Sequence, residues 1–355
     1  MMGAMNRLCG PLNSPHLRGM RGAVVVLTAV IAVTMSGCSS DGDSDNSAGP
    51  PVITPASAAP APPLTSAPAG TVHRFAGRAG GVLQDRSAHT VLVLSDDGQI
   101  VTLFTLPNLD APRHTVRLPS PATAAIGDGA GAVYLSTEGG YFRLDIATGR
   151  ADKVGIDGHD RTKFTAVTRR ADDRIVLGDS EGTAYTLDTE NRVSARATGF
   201  ARIDSLASQG NTVAVLDRAQ SSVTTLSEAG DGTQHALRAG EGATTMLTDD
   251  KGRLLVTDTR GGALLVFGTD ALILRQRYPV PGSPYGLAYS PKLVWVSQTA
   301  ANTVIGYDLS TGIPEERARF STVRQPNSLV SDGDTLFVAS AVGDGIQAID
   351  IRSVG

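Results

Sequence analysis

Short apolar runs recur seven times along the chain, about forty residues apart, and each ends in a small or polar residue followed by a turn. They read VLVLS (Val91–Ser95), VYLS (Val133–Ser136), IVLGD (Ile175–Asp179), VAVLD (Val213–Asp217), LLVTD (Leu254–Asp258), VWVSQ (Val294–Gln298) and LFVAS (Leu336–Ser340). Runs this short, bounded by Gly, Asp, Ser and Asn, are buried strands. No segment sustains the 3.6-residue spacing of an amphipathic helix. Strand-like units repeating at roughly 40–50 residues are the mark of a β-propeller.

One unit reads in full between Ala243 and Gly282. TTMLTD is its innermost strand, RLLVTD its second, ALLVFG its third and LILRQRYPV its fourth. The next unit repeats the scheme with PYGLAYS, LVWVSQ, TVIGYDL and PEERARFSTV. The apolar second strand suits burial on both faces, and the charged fourth strand suits an exposed edge. The final unit supplies only PNSLVSD, TLFVAS and GIQAIDI before Gly355. A lone strand at Thr71–Gly77 precedes the first complete inner strand and is similar to the outer strand Thr233–Gly240. The expectation is an all-β, seven-bladed propeller over residues 71–355, its ring closed by the N-terminal strand.

The chain before the propeller is of two kinds. Arg21 and the apolar run Ala23–Thr34 have the layout of a signal peptide over residues 1–37, too short for a comfortable transmembrane span. The run ends in Met35-Ser36-Gly37-Cys38, which resembles the bacterial lipobox, with Met in place of the usual Leu. That resemblance implies lipidation at Cys38 and a place on the outer side of the cell membrane. Met1, Met5 and Met20 are alternative starts, and a product begun at Met20 lacks Cys9. Residues 38–70 then form the lipidated cysteine and a spacer rich in Pro, Ala and Ser, with seven prolines between Ser39 and Gly70. Such composition buries little and predicts a disordered, flexible tether with a limiting length of about 100 Å.

Beyond residue 37 the chain carries 28 basic and 35 acidic residues, a net charge of −7. That balance argues against a nucleic-acid partner and against broad adhesion to anionic lipid. The mature chain has no cysteine after Cys38, so packing rather than disulfides must hold the disc.

Ser-Pro-Tyr-Gly-Leu-Ala (283–288), then LVWVSQ, Asn-Thr-Val-Ile and Tyr-Asp-Leu-Ser-Thr-Gly, resemble the YVTN/NHL-type propeller repeat. Gln-Pro-Asn-Ser-Leu-Val (325–330) matches more weakly. With the lipobox and spacer, the chain resembles actinobacterial β-propeller lipoproteins of the mycobacterial LppL type. The resemblance implies a cell-envelope location and brings no catalytic residues.

Candidate chemistry concentrates at one end of the blades. Asp179, Asp217 and Asp258, with Gln298, end second strands at equivalent positions. An acidic arc there would take a cation, but repetition favours carboxylates that accept N–H bonds in their own turns. The first residues of the inner strands surround the channel and include Thr123, Thr165, Asp204, Thr244, Tyr285 and Asn327. Asp204, Tyr285 and Asn327 are the expected channel-mouth ligand-binding residues. Asp204 and Asn327 offer oxygens to Ca²⁺, in the manner of gluconolactonase-type propellers, yet threonine dominates the set. His73, His89, His114, His159 and His235 form no HExxH and no pair at metal spacing. The functional expectation is a non-catalytic scaffold binding an envelope protein or a small molecule. A metal-assisted, lactonase-like hydrolase at the channel mouth is the alternative.

Overall fold

The computed structural model describes residues 52–354. The expected signal peptide, Cys38 and the spacer as far as residue 51 lie outside the described residues. Seven four-stranded antiparallel sheets follow one another around a ring. Blade 1 comprises Ala79–Asp85, Thr90–Ser95, Ile100–Thr105 and His114–Arg117, from channel to rim. Blade 2 comprises Ala122–Gly127, Ala132–Thr137, Gly140–Asp145 and Ala151–Gly155. Blade 3 comprises Phe164–Arg169, Ile175–Asp179, Ala184–Leu187 and Val193–Ala197. Blade 4 comprises Ser205–Gln209, Thr212–Asp217, Ser222–Leu226 and Thr233–Arg238. Blades 5 and 6 begin at Ala243 and Pro284 and have the strands expected from the sequence. Blade 7 comprises Pro326–Ser331, Thr335–Ser340 and Ile346–Asp350, with Thr71–His73 as its outer strand. Thr71 lies opposite Ala348 and His73 opposite Ile346, so the N-terminal strand closes the ring.

The hydrophobic pattern explains this arrangement. Second strands such as Ile175–Asp179 and Val294–Gln298 are buried along their whole length, whereas the outer strand Thr233–Arg238 is almost wholly exposed. Seven apolar clusters each join one blade to the next. The closing cluster brings Val91, Val93 and Phe104 of blade 1 against Phe337, Ala339 and Ile346 of blade 7, with Phe75 packed beside them. Each fully buried aliphatic or aromatic side chain contributes roughly 1.5–3 kcal/mol. Trp295 is fully buried, stacks on Phe320 at 5.9 Å and donates its indole N–H to Ser290 Oγ at 3.0 Å.

Six of the seven inner strands carry a register shift at or beside their second residue. A bulge adds a residue and re-aims its side chain. Thr123 so placed donates to the Phe164 carbonyl of the next blade at 2.6 Å, and Thr165 donates to the Ile203 carbonyl. Thr123 and Thr165 are therefore ties between blades, whereas Thr244 bonds Thr257 and Thr259 within its own blade.

The chain before Thr71 departs from expectation. Residues 52–70 have no regular secondary structure, yet they lie as a strap across the disc face where the inner strands begin. Ile53 N–H donates to the Ala219 carbonyl of blade 4 at 2.7 Å. Arg260 and Arg218 donate to the carbonyls of Thr54 and Ala56, and Ala56 is 5% exposed. Ala59 N–H donates to Ser283 Oγ at 3.0 Å, and Asn302 Nδ2 donates to the Pro62 carbonyl at 2.8 Å. Ala69 N–H reaches the Ser321 carbonyl at 2.9 Å, and Gln347 Nε2 reaches the Ala69 carbonyl at 2.6 Å. The strap thus runs over blades 4 to 7 into the closing strand. Its prolines reduce the entropy lost on docking, and its backbone polar groups, unused by any ladder, are free for side chains to bond. A free spacer up to residue 70 is therefore too long by these nineteen residues.

Candidate functional site

The strap contacts blades 4 to 7 and leaves the same face uncovered over blades 2 and 3. There the connection 156–163 is eight residues long, against seven at 198–204, five at 74–78 and four at 118–121, 239–242, 280–283 and 322–325. Backbone bonds fold it onto the neighbouring turns. Ile156 N–H donates to the Gly139 carbonyl at 3.0 Å, Gly139 N–H to the Thr162 carbonyl at 2.9 Å and Ser180 N–H to the Lys163 carbonyl at 3.1 Å. Gly139 has φ +80°, and a Cβ there would stand 2.8 Å from the Asp160 carbonyl oxygen, so this close approach requires glycine.

Two adjoining cavities of about 560 and 440 Å³ share Asp160, Lys163 and Ser180. The first is walled by His159, Arg161, Asp179, Glu181 and Tyr185. The second reaches the channel mouth at Thr123 and Thr165 and has Pro121, Phe164 and Glu138 in its lining. Behind the first cavity lies an aromatic wall. His159 meets Tyr185 edge to face at 4.8 Å, Tyr185 donates to Asp179 Oδ2 at 2.9 Å, and Arg196 sits over the Tyr185 ring at 5.6 Å. Arg196 Nη2 lies 2.9 Å from His159 Nε2, and a guanidinium only donates, so Nε2 accepts. The ring proton then sits on Nδ1, 3.2 Å from Thr162 Oγ1. With both nitrogens engaged, His159 orients the wall. Burial, reinforced by the hydrogen bond to Asp179, pushes the Tyr185 phenol above its ordinary range.

The charged side chains of Glu138, Asp160, Arg161, Lys163 and Glu181 make no hydrogen bond or ion pair among the described residues. Some surface charges elsewhere are paired, as in Arg192–Asp188, Arg317–Glu315 and Arg324–Asp344. With Lys153, which is likewise unpaired, the cleft presents three cations and three carboxylates with unused bonding capacity beside an apolar floor.

The residues expected at the channel mouth stand apart, on blades 4, 6 and 7. The Asp204 side chain is 6% exposed, lies 2.8 Å from Arg202 Nε and accepts the Arg218 N–H at 2.9 Å. Burial raises its carboxyl above the ordinary value against the lowering effect of Arg218 and Arg202. Arg218 in turn holds the strap at Ala56. Asn327 Oδ1 accepts from Gln325 Nε2 at 3.1 Å, and Gln325 also holds the strap. Tyr285 offers its carbonyl to Thr257 Oγ1 at 2.9 Å. Asp204 thus steadies the backbone of one strap-holding residue, Arg218, and Asn327 the side chain of another, Gln325. Among the described residues no three His, Cys, Asp or Glu side chains are grouped to hold a metal ion. At its other end the channel opens into a cavity of about 580 Å³ lined by Leu83, Ile126, Met246, Thr168 and Arg169 among others.

The acidic ends of the second strands are turn clamps. Asp217 accepts from the N–H groups of Ala201 and Gln220 at 2.7 and 3.0 Å. Asp258 accepts from Glu241, Gly242 and Gly261 at 2.8–3.0 Å. Gln298 does the same work with an amide, donating to the Pro281 carbonyl at 2.6 Å and accepting from Thr303 at 2.7 Å. Each ties the connection that precedes its blade, the turn that follows its strand, or both.

No family model matches the chain, and no curated protein is similar to it by sequence at a significant level. Solved structures are similar to it in fold. Hydrazine synthase of Kuenenia stuttgartiensis superposes with a TM-score of 0.64 at 14% identity, over 80% of this chain and 98% of that one. Virginiamycin B lyase from Staphylococcus aureus gives 0.63 at 14% identity, over 77% and 94%. U3-55K gives 0.68 at 10% identity, over 80% and 100%. At this identity the likeness is one of fold alone, and the chain is a seven-bladed β-propeller built as those proteins are.

Proposed function

We propose that this protein is a lipid-anchored binding module on the outer face of a bacterial cell membrane, held through Cys38, and that the cleft over blades 2 and 3 is its ligand site. The observation that carries the site is the set of unpaired charges. Glu138, Lys153, Asp160, Arg161, Lys163 and Glu181, none of them paired among the described residues, converge on one sector that the strap leaves uncovered. Charges of both signs beside Pro121 and the Phe164 floor suit a ligand carrying a cation and an anion on an apolar body, as a polypeptide surface does. The Cys38 anchor rests on the lipobox resemblance, and the envelope setting on the likeness to actinobacterial propeller lipoproteins.

The test is affinity capture from envelope extract with the wild-type protein and with Arg161→Glu/Lys163→Glu. Both side chains are exposed, so the melting temperature should hold. A partner retained by the wild type and lost by the charge-reversed variant is the expected result. Retention by both proteins would remove the cleft from the account.

A further inference from the structure

The strap is held through its backbone, by a row of side chains matched to an extended peptide. Gln325 reads two groups at once: its Nε2 donates to the Ala59 carbonyl at 3.0 Å, and its Oε1 accepts the Ala61 N–H at 2.9 Å. Ser283 takes the Ala59 N–H, Asn302 the Pro62 carbonyl, Arg260 the Thr54 carbonyl and Arg218 the Ala56 carbonyl. Between these anchors Ala56 is buried, Pro55, Ala58, Ala59 and Ala61 are half-buried, and Pro60, Pro62 and Pro63 face outward. Such recognition is tolerant of sequence, provided that the peptide is extended and its side chains are small.

The loops carrying these anchors are strained to do so. Ser283, Asn302 and Gln325 have φ of +59°, +48° and +53°. Left-handed backbone at a residue other than glycine persists where the surroundings over-determine it, and it clusters at binding sites. Three of the seven such residues in the described chain are the ones that grip the strap. Ring closure itself needs only Thr71–His73 paired with Ile346–Asp350, so the anchors do more than finish blade 7.

We infer that the face over blades 4 to 7 is a binding groove for an extended Pro/Ala-rich polypeptide, filled in the resting protein by residues 52–66 of the same chain, and that it accepts such a segment from another protein when the strap is displaced. This goes beyond the cleft over blades 2 and 3 and does not depend on it. The covalent link through residues 67–70 gives the strap an effective concentration in the millimolar range. An external peptide therefore competes poorly until the strap is loosened.

The test loosens the strap without altering the groove. In the full chain, Ala59→Pro with Ala61→Pro removes the two N–H donors that Ser283 and Gln325 read and keeps the backbone extended. The probe is a fluorescein-labelled peptide with the wild-type sequence of residues 52–66, followed by anisotropy, with amide exchange reporting on the strap. The expected result is loss of strap protection and saturable peptide binding at least about ten-fold tighter than to wild type. That gain should vanish when Gln325→Ala is added. Four results would overturn the inference. One is a freed strap with no peptide binding. Another is binding indifferent to Gln325. The third is a strap still protected in the double variant, since it would then be held by something other than these anchors. Self-association of the loosened variant in place of peptide binding would assign the groove to a second copy and equally defeat the claim of a foreign segment.

Discussion

A buried carboxylate that collects backbone N–H groups is the smallest unit of order in this disc. Asp258 serves three N–H groups, and Gly261 makes room for it, since a Cβ there would stand 2.0 Å from Oδ2. Asp258→Ala strands those donors, and the expected cost is about 3 kcal/mol, seen as a fall of several degrees in Tm. Asp270→Ala, at an exposed turn, should stay within about 0.5 kcal/mol. Asp85 makes a similar junction, accepting from Ser87 Oγ and Ala88 N–H at 2.8 Å and from Gly131 N–H of blade 2 at 3.0 Å. Burial alone would raise its carboxyl, but these donors outweigh burial and hold it below the ordinary 3.8. The folded protein therefore binds the Asp85 proton more weakly than the unfolded chain does. The resulting stabilisation is complete above the ordinary value and is lost as pH falls through it toward the lowered one. Thermal melts from about pH 5 to pH 2 should show a shallower acid limb in Asp85→Asn than in wild type. At this scale the sequence was partly legible. Recurrence of Asp179, Asp217 and Asp258 at one position pointed to turn clamps, and the hydrogen bonds match. That Thr123 and Thr165 tie one blade to the next is not legible, because a bulge that re-aims a side chain leaves no mark on a pattern of alternation.

The elements divide into strands that announced themselves and a strap that did not. The strands of blades 5 and 6 and the isolated Thr71–His73 follow from apolar runs and turns, whose spacing is local. The strap does not, since its partners lie more than 150 residues away, as with Ala56 and Arg218 or Ala59 and Ser283. Composition correctly says that Val52–Gly70 builds no core of its own, and says nothing of a ready-made groove elsewhere. The cleft had a readable signal, the eight-residue connection at 156–163, which blade-to-blade spacing exposes. The strap has a direct consequence for stability. Deleting residues 52–66 removes the strap carbonyls and N–H groups that Arg260, Gln325 and Asn302 bond, so Tm should fall by several degrees and exchange should quicken in the loops around 283, 302 and 325. A deletion that leaves both unchanged would show that the strap adds nothing to the fold.

Across the whole molecule, the strap divides one face of the ring into a covered sector and an open one. Anchorage at Cys38 would set residues 39–51, which lie outside the described residues, between lipid and strap, a reach of at most about 40 Å. Cys38→Ala should release the protein from the membrane fraction, and retention would remove the anchor from the account. The central claim is that binding takes place in the open sector over blades 2 and 3. Photo-crosslinking in intact cells tests it most directly, with a benzophenone amino acid at Glu181 in the cleft and, separately, at exposed Ile313 in the turn between the third and outer strands of blade 6. The account predicts a discrete adduct from position 181 that is lost with Arg161→Glu/Lys163→Glu, and none from position 313. Adducts from 313 alone, or equal adducts from both positions, would contradict it.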